Sequence, residues 1–113
     1  MNAEYSEGEA LTMLGRVLIA RDSHDEAIPD LEASIVLAGR AGSDYERAKA
    51  LAVLAEAQSA CTLGGEECAA TLDEAIRLFE KMGAGYDLEK ALEVRDRLFA
   101  PAPAGSPGMG DAT

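Results

Sequence analysis

Tryptophan is absent from this chain, and aromatic residues fill only 4% of its 113 positions. Any interior it builds is therefore aliphatic, drawn from Leu, Ala, Ile and Val, and a chain of this length supports one modest core. Basic residues are scarce: 10 Lys and Arg stand against 21 Asp and Glu, a net charge of −11. Nucleic acid and anionic lipid repel such a chain, which excludes both as expected partners. No apolar run approaches the ~18 residues of a membrane span. The start, MNAEYSEGEA, lacks the basic segment of a secretory signal, so the expected location is the cytoplasm. Two cysteines, Cys61 and Cys68, are too few for a disulfide framework.

Catalytic signals are equally sparse. His24 is the only histidine and has no second ligand at metal-binding spacing. The acid pairs Glu66-Glu67 and Asp73-Glu74 fall on helix faces or first turns, where they favour the helix dipole. Gly64-Gly65 lacks the preceding strand and the lysine of a phosphate loop. The expectation is a non-enzyme without metal or cofactor.

What the chain does contain is repetition. LDEAIRLFEKMGAGYDLEKAL, from Leu72 to Leu92, falls on LEASIVLAGRAGSDYERAKAL, from Leu31 to Leu51, after a shift of 41 positions. Leu72 meets Leu31, Ile76 meets Ile35, Gly83 meets Gly42 and Tyr86 meets Tyr45. A further shift of about 40 brings Tyr45 onto Tyr5 and Leu51 onto Leu11. Proline is confined to Pro29 and the last stretch, and Ala, Leu, Glu, Arg and Lys are good helix formers.

The apolar spacing predicts five helices, over about 6–21, 24–40, 44–62, 66–82 and 87–99, with a short lead at 1–5. Ser23 and Glu26 read as a capping box at the second helix. Pro29, late for the tolerated first position, predicts a kink or a loosened first turn there. Leu63-Gly64-Gly65 reads as a turn. Residues 100–113, small and rich in Pro and Gly, read as a disordered tail.

These slots resemble the tetratricopeptide repeat. In the first unit its small-and-large pattern is held by Leu11, Leu14-Gly15, Leu18, Ala27, Leu31 and Ser34. In the second it is held by Leu51, Leu54-Ala55, Gln58, Cys68, Leu72 and Ala75. A third unit is half present: Leu92 and Phe99 are in place, but Arg95-Asp96 stand where Leu-Gly would be. The resemblance implies an all-α antiparallel helix-hairpin array, an α-solenoid of about two and a half units. The length of the unit and endings such as RLFEKMGAGYDLEKAL resemble repeats of bacterial signalling proteins, among them large ATP-binding transcription regulators and cyclase- or kinase-linked sensors.

The resemblance also implies a task, binding a protein or peptide on the concave side lined by the first helix of each pair. The positions carried over are Glu9, Thr12, Arg16 and Ile19, then Lys49, Ala52, Glu56 and Ser59, then Lys90, Glu93 and Arg97. Their four bases, in so acidic a protein, suit an acidic or carboxylate-ended peptide. The family's carboxylate clamp for chaperone tails needs asparagine at slots held here by Arg16 and Glu56, which argues against that ligand. The alternative reading is dimerisation through the bare end of the array. An enzyme is the least favoured class.

Overall fold

A computed structural model describes residues 3–60 and 65–99. They form five α-helices: α1 (Ala3–Ala20), α2 (His24–Arg40), α3 (Asp44–Ser59), α4 (Gly65–Met82) and α5 (Gly85–Phe99). The fold is all-α, an antiparallel helical-repeat array, with no strand among the described residues. Residues 3–5, read as a lead, already belong to α1. α3 ends at Ser59, three residues before the sequence expectation. The predicted glycine turn lies mostly outside the described residues, as do Cys61, the side chain of Tyr5 and the tail at 100–113.

Three of the turns share one backbone device. Asp22, Gly42 and Gly83 have φ of 62°, 73° and 69°, the left-handed region. In each, the next amide reaches back five residues: Ser23 to Leu18, Ser43 to Ala38 and Ala84 to Phe79, at 2.8–3.0 Å. These bonds satisfy carbonyls that a helix end leaves orphaned. Asp22 is the one non-glycine of the three, and Asp tolerates this conformation better than most side chains.

The capping box expected at Ser23 is absent. Ser23 occupies the N-cap of α2, but its side chain makes no cap hydrogen bond. Its backbone, at ψ 53°, departs from the extended geometry that aims a hydroxyl at the first amides. Ser43, at ψ 94°, is extended, and its hydroxyl accepts from the Glu46 amide at 3.2 Å. Pro29 lies exposed inside α2, which continues as one helix on both sides of it.

Two apolar clusters share α3. On one flank, Val53, Leu54 and Ala57 bury against Ala27 and Leu31, with Leu18, Ile28 and Ile35 at the edges. On the other, Ala48, Leu51 and Ala55 bury against Cys68, Leu72, Ala75, Ile76 and Phe79, with Leu92 at the edge. The Cys68 thiol donates to the Ala55 carbonyl at 3.0 Å, and burial pushes its pKa up.

Close approach of α1 to α2 depends on Gly15. A Cβ there would lie 2.7 Å from Leu31 Cγ and Cδ2. Ser34, also fully buried, donates to the Gly8 carbonyl at 2.6 Å. Leu11 is half-buried, whereas Leu14, a large-residue slot of the repeat pattern, is 45% exposed. Its counterpart Leu54 is buried because α2 lies upon it; no described helix lies on the corresponding side of α1.

The array is open. α1 touches α2 and α3 but neither α4 nor α5. α1, α3 and α5 touch in sequence, whereas α2 and α4 do not touch each other. This pattern bends the array so that the first helix of each pair lies on the inner side.

Candidate functional site

The inner side holds a cavity of about 440 Å³, bounded by α1, α3 and α5 with Phe79 of α4 at its floor. Each helix brings residues spaced by three or four, which places them on one face. α1 contributes Arg16. α3 contributes Lys49, Ala52 and Glu56. α5 contributes Lys90, Glu93 and Arg97, joined by Tyr86 and Asp87. The lining therefore carries four cations, Arg16, Lys49, Lys90 and Arg97, against three carboxylates, Glu56, Asp87 and Glu93. In a chain of net charge −11, that is a local reversal of sign.

Most of these charges are tethered. Arg97 meets Glu56 at 3.2 Å, across α5 and α3. Lys90 and Glu93 stand 3.9 Å apart, and Lys49 meets Glu46 at 3.0 Å. Arg16 makes no ion pair among the described residues. Partial burial pushes the pKa of Lys49 down, but the hydrogen bond and charge of Glu46, then the charges of Tyr45 and Glu9, outweigh it and hold the pKa raised. Lys49 is thus a firmly charged group.

A repeated tyrosine–lysine step lines the same side. The Lys49 ammonium lies 4.9 Å from the Tyr45 ring centroid, and Lys90 lies 5.5 Å from that of Tyr86. Both pairs are four residues apart on an inner helix, the spacing that brings side chains together. Tyr45 also packs edge-on against Phe79, with centroids 6.3 Å apart, and donates its hydroxyl to Asp87 at 2.9 Å. That bond and the Arg97–Glu56 pair fasten α5 to α3. Behind the site, Arg47 of α3 pairs with Glu74 of α4.

The structure gathers Arg16, Lys49, Ala52, Glu56, Lys90, Glu93 and Arg97 around one cavity, all named from the repeat pattern. Glu9 lies near enough to Lys49 to act on it electrostatically, although it does not line the cavity. Thr12 does not face the groove. It is buried at 3% exposure, with its hydroxyl 3.2 Å from the Gly8 carbonyl and 2.6 Å from the Ser34 hydroxyl. The signal for this was present: Gly8, Thr12 and Gly15 are small residues at helical spacing, and small residues admit a neighbouring helix. Ile19 is half-buried against the α2–α3 cluster, and Ser59 turns back to the Glu56 carbonyl at 2.7 Å, so neither lines the cavity. Tyr86 and Asp87 were missed as lining residues, although the shared period of the tyrosines pointed to them.

No family model, curated protein or solved structure matches the chain. The site must be judged on its own geometry. It has a shaped trough, exposed aromatic faces and mixed charge. Among the described residues no cluster of three or more His, Cys, Asp and Glu side chains is arranged to hold a metal ion, and no helix is long and apolar enough to cross a membrane.

Proposed function

We propose that the chain is a tetratricopeptide-like, non-catalytic binding module that receives a peptide segment in the trough between α1, α3 and α5. The observation that carries this reading is the gathering of four cations in one cavity of an otherwise acidic protein. A segment with acidic side chains or a free carboxylate matches that sign, and Arg16, without an ion pair among the described residues, is the group best placed to take a carboxylate bidentately. Tyr86, 71% exposed, offers a flat apolar face in the same trough for an aliphatic or proline side chain. The resemblance of the repeat units supports a role for such a module in a bacterial signalling or regulatory system in the cytoplasm.

The test is a displayed library of peptides with free C-termini, panned on the full chain, with affinities then measured by fluorescence anisotropy. Arg16→Glu, Lys49→Glu and Lys90→Glu should each weaken selected peptides by about tenfold or more, with unchanged helical circular dichroism. Selected peptides that bind all three variants as tightly as the parent chain would remove the trough as the site.

A further inference from the structure

The side of α1 turned away from α2 and α3 is apolar where it meets water. Met13 is 64% exposed, and Leu14 and Val17 are nearly half exposed. Forty positions on, α3 carries Val53, Leu54 and Ala57, and these are buried against Ala27 and Leu31. The same three slots thus form a helix-packing face wherever something covers them. The charges of α1 are sorted along its length. Glu7 and Glu9 lie in its first half, Arg16 in its second, and Arg21 follows directly. Glu7, Ala10, Leu14, Val17 and Arg21 recur every three or four residues, and all five are exposed.

We propose that this stripe is a self-association face, on which the α1 of a second copy lies antiparallel across a two-fold axis near Leu14. In that arrangement position 7 of one copy meets position 21 of the other, and position 10 meets position 17. Glu7 then faces Arg21 of the second copy at both ends of the stripe, with the apolar residues between them. A parallel pair would set Glu7 on Glu7 and Arg21 on Arg21. Neither residue has an ion pair within its own chain among the described residues. Head-to-tail stacking is disfavoured for a separate reason. At the far end of the array, Glu89 and Asp96 of α5 stand where Ala48 and Ala55 of α3 meet α4, and both are exposed, so the apolar stripe would meet charge. A two-fold pair instead joins the patch to itself and closes the assembly at two copies. This inference is independent of the trough, which lies on the opposite side of α1.

The test is sedimentation equilibrium of the full chain, from low micromolar to near-millimolar concentration. The expected mass at the upper end is twice the 11.8 kDa of one chain. Glu7→Arg and Arg21→Glu should each raise the dimer Kd by about tenfold, and added salt should raise it for the parent chain. The double variant Glu7→Arg, Arg21→Glu exchanges the charges and should restore the parent Kd. Leu14→Glu should give a monomer with unchanged helical circular dichroism. A mass of one chain throughout, growth beyond two copies, a dimer indifferent to Leu14→Glu, or a double variant no tighter than either single one would each overturn the proposal. The charge variants keep the test alive if Leu14→Glu fails to fold.

Discussion

Replacing Gly15 by alanine sets two effects of opposite sign against each other, and the structure says which wins. In an exposed helix the change stabilises by up to about 1 kcal/mol, because alanine has the lower backbone entropy to lose. At Gly15 the new methyl would lie 2.7 Å from two carbons of Leu31 and 3.1 Å from a third. Leu31 is fully buried between α1, α2 and α3, with Leu54 on its other side, and cannot swing into solvent. Overpacking of this kind costs about 1–3 kcal/mol. The net expectation is a loss of roughly 0–2 kcal/mol, which lowers Tm by up to about 8 °C in a domain of this size. Gly8 is the control. A Cβ there meets Leu37 Cβ and the Ser34 carbonyl at 3.4 Å, ordinary contact, so Gly8→Ala should stabilise by up to about 1 kcal/mol. Urea unfolding followed by circular dichroism measures both. Leu31→Ala alone should cost about 2–5 kcal/mol, and Gly15→Ala combined with it should cost less than the sum, because the methyl enters the vacated space. Equal stabilisation at Gly8 and Gly15, or strict additivity with Leu31→Ala, would refute the close approach of α1 to α2.

Asp22→Gly should stabilise by about 0.5–1 kcal/mol in the same assay, since Asp22 alone of the three turn residues holds a left-handed backbone with a side chain attached. Phe79→Ala should cost about 3–5 kcal/mol, because Phe79 is the largest fully buried side chain and also floors the trough. The hydrogen bond from Tyr45 to Asp87, then partial burial and the Asp87 charge, raise the Tyr45 pKa. A raised phenol pKa means the folded state holds its proton longer. The stabilisation is therefore complete below the unfolded value of about 10 and is lost as pH rises through the folded one. Ultraviolet titration of tyrosinate should show a late step that Tyr45→Phe removes. Amide exchange should be fastest in α5, where Ala91 is the only fully buried residue, and Glu56→Gln should quicken it further by breaking the pair with Arg97.

The helix order, the repeat and the inner face were readable because each rests on spacing, which survives without knowledge of the third dimension. Leu31, Leu72 and Cys68 fall in equivalent or neighbouring slots and all are buried. Thr12 escaped because carrying a position by period assumes that every inner helix presents the same angle to its neighbours. At α1, Gly15 lets α2 approach closely, and Ser34 offers a hydroxyl that fixes Thr12 inward. Leu14 escaped because its slot packs only when a helix lies over it, and α1 is the first described one. Ser23 met the composition of a capping box but lacked the backbone angle, which composition does not encode. The ion pairs were also unreadable in detail: Arg97 reaches Glu56 on another helix, a choice made by curvature.

α3 carries both apolar clusters, one on each flank. A polypeptide leaving the ribosome N-terminus first would have the α1–α2 hairpin in hand before this helix, with Leu31 resting on Gly15 but not yet covered by Leu54. Once α3 arrives it settles that hairpin and at once presents a second sticky flank, Leu51 and Ala55, to solvent. Nascent-chain lengths just short of α4 are therefore the ones a chaperone would hold longest, and arrest at that length is where ribosome-bound crosslinking should find it.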